Sequence, residues 1–244
     1  MKQYEAVIKV MQHNGGYATL GFLYQEVLKI KKCEWKTKTP FASIRRIVQD
    51  ERFFFKIKPG LWALKTHKDK LPPEILPVKS IPKAKQEEYN HTYYQGLLVE
   101  IGNLKKYKTF VPNQDKNRLF LGKKLCNIAT VSAIYRFSYD HLLQRAKTVD
   151  VTWFNNRNMP DSLFEIEHTA PIQNSLSKFV DLQDFYAKFF IVADSVREND
   201  YKAKLSYTAF VDIRERTKFM SYNQLSEWHS KTYQLVSLES SIGI

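Results

Sequence analysis

Apolar residues in the first 66 positions recur first at helical and then at strand spacing. The helical pattern predicts one helix over residues 4–12, a second that begins after Thr19, and a third with Thr39 as N-cap and Pro40 at its first position. Two strands follow in the segments RFFFKIK and LWALK, on either side of a Pro-Gly turn. Three helices followed by a two-stranded hairpin form the order of a winged helix-turn-helix.

The pattern changes in residues 67–88, which contain four prolines and five lysines. Proline lacks a backbone N–H and cannot continue a helix or a central strand, so this composition predicts an extended linker. The sequence therefore divides into residues 1–66, a linker at 67–88, and a second domain at 89–244.

The remaining residues alternate between helical and strand-like segments, which predicts an α/β core. The segment NNRNMPD is rich in turn-forming residues and is expected to join two strands. In chain order, the pattern predicts a helix at 93–104, a strand at 109–111, a helix at 123–135, strands at 147–154 and 163–168, a helix at 175–186, strands at 187–193 and 206–211, and a helix at 222–235.

Four carboxylates lie inside apolar runs of this second domain. They are Glu100 in LLVEIG, Asp150 in TVDVTWF, and Glu165 and Glu167 in LFEIEHT. Acids are rarely buried unless they are paired or bind a metal. Side chains alternate along a strand, so Glu165 and Glu167 share one face, and Asp150 joins them if the two strands are neighbours. Oxygen ligands grouped in this way suit Mg²⁺.

An ordinary half-solvated strand also alternates apolar and acidic residues, so each strand alone has a simpler explanation. Because an apolar helix with Glu100 precedes the two strands, the three acid-containing segments taken together favour a metal site. His168 directly follows Glu167 and is expected on the opposite strand face, which would exclude it from the ligands.

Net charge points to an acidic partner. The chain carries 38 Lys and Arg against 25 Asp and Glu, a formal charge of +13, and residues 1–88 hold 18 of the basic residues against 9 acidic ones. Nucleic acid is the natural partner of such a surface. Two cysteines, far apart in sequence, favour a reduced, cytoplasmic protein, and the lack of an 18-residue apolar run argues against a membrane partner.

In a winged helix, the third helix usually enters the major groove and the hairpin lies against the DNA backbone. Polar side chains on the predicted third helix and hairpin suit base edges and phosphates. The same arrangement can instead dock a protein, so that alternative stays open here. The candidate DNA-binding residues are Lys36, Lys38, Thr39, Ser43, Arg45, Arg46, Gln49, Lys56 and Lys58.

Two family resemblances extend these predictions. The runs AVIKVMQHNGGYATLGFLYQEVLK and TPFASIRRIVQDERFFFKIKPGLWALK resemble the HARE-HTH domain, a winged helix attached to chromatin proteins, RNA polymerase delta subunits and restriction endonucleases. The resemblance covers about the first 66 residues and implies DNA binding.

Residues 89–235 resemble the PD-(D/E)xK nucleases, through a helix with Glu, a strand with Asp, a strand with ExE, a helix and a buried strand. The family's two acids fall on Asp150 and Glu165, which implies that these hold the principal Mg²⁺. Most members have Lys where this chain has Glu167, although a minority of restriction enzymes carry ExE with a further acid from the preceding helix, which Glu100 matches. Glu100 would then complete a second metal site, and Glu167 would orient or deprotonate the attacking water.

Together the residues and the resemblances predict an α+β/α/β protein, with an N-terminal winged helix-turn-helix and a restriction-endonuclease-like mixed sheet flanked by helices. The predicted function is Mg²⁺-dependent cleavage of double-stranded DNA by a deoxyribonuclease of the type II restriction class. A homodimer is plausible because two strands must be cut. The alternatives are a catalytically inactive nuclease-like regulator that binds DNA, and a winged helix that docks protein.

Overall fold

A computed structural model describes residues 1–77 and 80–243. The predicted linker includes residues 78 and 79, and the predicted second domain ends at residue 244; these three positions lie outside the described residues. Contacts divide the chain into two compact units. The N-terminal unit comprises Met1–Ile81 with Ser226–Ile244, and the central unit comprises Pro82–Leu225.

The N-terminal unit contains the three predicted helices and the predicted hairpin. A short additional strand, β1, pairs with the hairpin and gives a three-stranded antiparallel sheet of order β1-β3-β2. The first 66 residues form α1 (Gln3–His13), β1 (Tyr17–Thr19), α2 (Leu20–Glu26), α3 (Pro40–Val48), β2 (Phe54–Lys58) and β3 (Leu61–Leu64).

Helix boundaries in this unit follow local chemistry. Thr19 Oγ1 accepts a hydrogen bond from the Phe22 amide at 3.2 Å, which caps α2 as predicted. Thr39 occupies the N-cap of α3 and Pro40 its first position, also as predicted, although the Thr39 side chain makes no capping hydrogen bond. Gly60 turns the hairpin with φ of +77°, a conformation that costs glycine little.

The central unit is a mixed α/β fold, with a five-stranded sheet flanked by helices. The strand order is β10-β9-β8-β7-β4; the β10–β9 and β9–β8 pairs are parallel, and the β8–β7 and β7–β4 pairs are antiparallel. Its elements are α4 (Lys83–Leu104), β4 (Lys108–Phe110), β5 (Leu119–Phe120), β6 (Lys123–Lys124), α5 (Leu125–Ile128), α6 (Asp140–Ala146), β7 (Val151–Phe154), β8 (Pro160–Glu167), α7 (Ile172–Asp181), β9 (Lys188–Ala193), α8 (Glu198–Leu205) and β10 (Thr217–Ser221); α9 (Tyr222–Ile242) begins there and continues in the N-terminal unit.

Two element predictions for this region are wrong. The helix expected at 123–135 is reduced to the four residues of α5, because Thr130 and Val131 donate backbone hydrogen bonds to Thr109 and draw the chain along β4. The strand expected at 206–211 is a 3₁₀ helix over Thr208–Arg216. Its buried residues, Phe210 and Ile213, are three positions apart, which suits 3₁₀ periodicity. The edge strand is instead β10, and α4 begins inside the predicted linker.

Two glycines of α4 let this helix lie close to its neighbours. A Cβ at Gly96 would stand 2.0 Å from Phe120 Cδ2, and one at Gly102 would stand 2.5 Å from Thr109 Cγ2. Trp153 on β7 donates from Nε1 to the Leu98 carbonyl at 3.2 Å. These contacts fix both the distance of α4 from the sheet and its rotation about its own axis.

The other side of the sheet packs against α7, α8 and the 3₁₀ segment. Leu163, Phe179, Phe189 and Ile213 are among the buried residues of this core. Among the described residues, none of the helices is at once long and apolar enough to traverse a bilayer.

Candidate active site

A cavity of about 460 Å³ opens in the central unit where α4, β8 and α7 come together. Most of the residues around it are charged or carry an imidazole, which is uncommon for a concave surface that also borders a core. These residues are Glu87, Glu88, His91, Asp115, Arg118, Asp150, Glu165, Glu167, His168 and Lys178.

Strand pairing brings three of the predicted acids to this cavity. Asp150 immediately precedes β7, and Val151 pairs with Phe164 on β8, so Asp150 lies beside the strand that carries Glu165. Glu165 and Glu167 alternate along β8, and the Ser175 hydroxyl donates to Glu167 Oε1 and also lies 3.1 Å from Glu165 Oε2. The two glutamates therefore share one face of the strand, as the sequence predicts.

Asp150 is held by contacts to both of its carboxylate oxygens. Oδ2 accepts from the Ile166 amide at 2.7 Å, and Oδ1 lies 3.4 Å from His91 Nε2. Burial raises the pKa of Asp150, but the His91 imidazole and the Ile166 amide outweigh it, so that this pKa lies below its usual value. Asp150 is therefore set to be ionised and available as an oxygen ligand.

Glu165 is only 2% exposed and forms an ion pair with Lys178 of α7. Lys178 Nζ lies 2.8 Å from Oε2 and 3.0 Å from Oε1, and it also donates to the Thr148 carbonyl at 3.1 Å. Burial and the neighbouring Asp150 charge raise the pKa of Glu165, and burial also raises that of Glu167. Burial lowers the pKa of Lys178, but the Glu165 carboxylate outweighs this and raises it.

Lys178 and His91 were not predicted from the sequence. Lys178 follows Glu165 by thirteen positions on a separate helix, and no short motif links them. His91 stands on α4 among mostly polar residues, without an apolar run to mark it. His168 was expected on the strand face opposite Glu165 and Glu167. Its ring lies beside Tyr94 of α4, with Nδ1 2.7 Å from the Tyr222 hydroxyl, whereas the two glutamates contact α7; His168 nevertheless also borders the cavity.

Glu100 is not among the residues lining this cavity. Nine residues separate it from His91 on the same helix, which is about 13 Å of axial rise and about two and a half turns, so the two side chains leave α4 on opposite sides. The predicted metal-binding role of Glu100 thus gains no support from the geometry. From α4 it is His91 that reaches Asp150.

The donor set of the cavity fits a divalent cation. Asp150 and Glu165 offer carboxylate oxygens of the kind that Mg²⁺ prefers. His91, Asp115 and Asp150 each direct one possible ligand atom into a common volume, all within 4.8 Å of one another. Gln95 supports this group, because its Nε2 donates to Asp115 Oδ2 at 2.8 Å and to the Asp150 carbonyl at 3.1 Å.

The predicted DNA-binding residues lie on and around α3 and on the hairpin of the N-terminal unit. Burial lowers the pKa of Lys58 to about 8, so Lys56 is the better phosphate ligand of the two hairpin lysines. The exposed members of the set are Lys36, Lys38, Thr39, Arg46, Gln49 and Lys56, and the half-buried members are Ser43, Arg45 and Lys58.

The family model described as the Type II restriction enzyme NmeDI C-terminal domain matches residues 70–242. The Type II restriction enzyme NmeDI of Neisseria meningitidis serogroup C is 24% identical over 151 residues, which is 57% of this chain and 42% of that protein. The chain thus spans about two-fifths of the length of this curated relative. No solved structure matches the chain significantly. The family match leaves residues 1–69 outside it, so the HARE-HTH resemblance stays a prediction.

Proposed function

Because this chain belongs to the family of the Type II restriction enzyme NmeDI C-terminal domain, we propose that it is a Mg²⁺-dependent endonuclease that hydrolyses double-stranded DNA. The observation that carries this proposal is the arrangement of Asp150, Glu165 and Lys178 in one cavity. Two buried acids beside a half-buried ammonium group are costly to maintain, and phosphodiester hydrolysis is a reaction that uses all three.

Asp150 and Glu165 would hold the Mg²⁺ ion, which supplies an activated water and stabilises the negative charge that develops on the phosphate. Lys178 supplies a fixed positive charge beside Glu165, and in its half-buried position this charge is less screened by water than a surface charge, so it acts more strongly on a nearby phosphate oxygen. Glu167 accepts a hydrogen bond from Ser175 and would orient or deprotonate the attacking water.

Lys178 also bears on the alternative of an inactive regulator. That alternative rests on Glu167 standing where most PD-(D/E)xK nucleases have lysine. An ammonium group that reaches Glu165 from α7 gives the cavity the charge that the strand lacks. An active nuclease with its lysine on the following helix is the interpretation that accounts for both residues.

For the N-terminal unit we propose a winged helix that docks on duplex DNA. Arg46 is exposed on α3, Gln49 is exposed at its C-cap, and Lys56 is exposed on the hairpin, which suits contacts to base edges and phosphates. The division into residues 1–66, a linker at 67–88 and a nuclease-like domain at 89–244 belongs to this proposal. So does a homodimer, which would provide one active site for each DNA strand.

The test is digestion of supercoiled plasmid with and without Mg²⁺, by the full chain and by Asp150→Asn and Glu165→Gln. Each substitution removes a ligand charge and little volume, so cleavage should fall to background while duplex binding stays near the unsubstituted level. Glu215→Gln, an exposed acid outside the cavity, is the matched control and should cut normally. Cleavage by either cavity variant at the full rate would mean that the active site lies elsewhere.

A further inference from the structure

Three segments that are distant in sequence meet at one side of the cavity. His91 comes from α4, Asp115 from the loop after β4, and Asp150 from the residue before β7. Ligands bound at about 2.1 Å to one ion are roughly 3 Å apart at adjacent positions and about 4 Å apart at opposite ones. The three ligand atoms, all within 4.8 Å of one another, need only small side-chain adjustments to reach such a geometry.

Gln95 supplies a second, independent observation. Its side chain is fully buried, and its Nε2 contacts Asp115 and the Asp150 backbone. Its Oε1 has no hydrogen-bond partner in the part of the chain that the structure describes. The two heteroatoms of an amide are about 2.3 Å apart, so this acceptor also lies beside the acids. A buried acceptor without a donor is costly, and a water molecule bound to a cation would donate to it.

Charge balance points in the same direction. Asp115, Asp150, Glu165 and Glu167 are all less than 10% exposed. Among the described residues that line the cavity, Lys178 pairs with Glu165 and Arg118 pairs with Asp115 at 2.8 Å. These pairs leave Asp150 and Glu167 without a lysine or arginine contact of this kind, and a bound cation would offset their charge.

We propose that His91, Asp115 and Asp150 form a second divalent-cation position, and that its imidazole ligand makes it select Mn²⁺ or another imidazole-binding ion over Mg²⁺. Imidazole suits first-row transition ions, whereas Mg²⁺ favours oxygen ligands, so the two positions of one cavity would differ in their preferred ion. The position shares Asp150 with the Mg²⁺ site and in that respect rests on the proposed function. Gln95 orients the ligands, and Arg118 competes with the ion for Asp115.

Mn²⁺ titration of the full-length chain, followed by electron paramagnetic resonance, tests this position without any measurement of cleavage. We expect two bound Mn²⁺ ions per chain, one of which shows magnetic coupling to an imidazole nitrogen in a pulsed experiment. His91→Gln should abolish that coupling and weaken binding of one ion at least about tenfold, while leaving Mg²⁺ binding within about threefold. Asp115→Asn should lower the affinity for the same Mn²⁺ ion, and Arg118→Gln should raise it.

His168→Gln is the matched control, because His168 lines the same cavity and should leave the nitrogen coupling intact. Coupling that survives in His91→Gln, or that disappears in His168→Gln, would overturn the proposal, as would an unchanged Mn²⁺ stoichiometry in both His91→Gln and Asp115→Asn. A thermal unfolding curve for each variant establishes that it is folded. If the unsubstituted chain shows His91-dependent Mn²⁺ coupling yet never cuts DNA with either ion, the nuclease proposal fails and the metal position stands. If the chain cuts DNA with Mg²⁺ but shows no imidazole coupling to Mn²⁺, the metal position is wrong and the nuclease proposal stands.

Discussion

Charged side chains in the N-terminal unit and in the cavity of the central unit are held in different ways. Arg46 on α3 is exposed, so its charge is solvated and its position has little energetic consequence for the fold. Glu165 and Glu167 are buried, which raises the pKa of both carboxyl groups, and Lys178 and Ser175 satisfy their oxygen atoms. A solvated charge is compatible with many roles, whereas a buried network of charges indicates that the chemistry of the site requires it.

The largest effect that this comparison predicts comes from removing the cavity's ammonium group. Lys178→Met keeps most of the side-chain volume but leaves no positive charge beside Glu165, so single-turnover cleavage in saturating Mg²⁺ should fall by at least about a hundredfold. Lys202→Met is the control, because Lys202 forms an exposed ion pair with Glu198 at 2.7 Å and lies outside the cavity. A Lys178→Met protein that is folded and cuts within a few-fold of the control would contradict the role given to Lys178.

The next effect concerns the positive charges of α3. Arg45→Ala combined with Arg46→Ala should weaken duplex binding and flatten the plot of log binding constant against log salt by about one unit for each phosphate that is no longer neutralised. Lys68→Ala with Lys70→Ala removes the same charge from exposed positions of the same unit. If both double variants change the salt slope equally, α3 contributes only net charge. An unchanged slope in the arginine variant would favour a protein-docking role for this unit.

Glu167→Gln tests whether the buried carboxyl group of Glu167 costs the protein stability. Burial raises the pKa of Glu167, so the unfolded chain loses its proton at lower pH than the folded protein does, and stability falls as pH rises through that interval. The amide cannot ionise, so Glu167→Gln should be more stable than the unsubstituted protein at neutral pH. The stability difference between the two proteins should vanish below about pH 4, where Glu167 is protonated in both the folded and the unfolded state. Urea unfolding at several pH values measures it, and a variant that is less stable at pH 7 would contradict the assignment.

The smallest effect is expected at Glu100. Because this residue is not among those lining the cavity, Glu100→Gln should alter cleavage less than about twofold and should leave Mn²⁺ stoichiometry unchanged. The measurement is the DNA cleavage rate of Glu100→Gln and of Asp150→Asn, with both proteins prepared in parallel. A loss at Glu100 close to that at Asp150 would restore the metal-binding role that the sequence predicts for it.

Predictions from sequence succeeded where a local rule decides the outcome. Thr19 caps α2, Pro40 begins α3, and Glu165 and Glu167 share a face, because capping chemistry and strand alternation act over two or three residues. The 3₁₀ helix in place of a strand at 206–211 shows the opposite case, since the burial of Phe210 and Ile213 depends on what packs above them.

The composition of the cavity needed long-range information. Asp115 lies in the loop after β4 and Lys178 on α7, so their approach to the acids depends on how these connections pack against the sheet. An apolar run around Glu100 looks like the environment of a buried acid, and the same run is also what a helix needs in order to pack on a sheet. Pattern alone could not separate these two causes, whereas the direction in which each side chain leaves α4 separates them at once.

The two close approaches of α4, at Gly96 and Gly102, have a consequence for how this site can evolve. They fix the helix at one angular setting against its neighbours. One residue inserted after Gln95 would rotate the part of α4 that precedes it by about 100° about the helix axis, while Gly96 and Gly102 kept their present contacts. His91 and Gln95 would then point away from Asp150 and Asp115, although no composition had changed. Such a helix can exchange its surface residues freely, yet it tolerates almost no change of length between its buried glycines and the residues that face the acids.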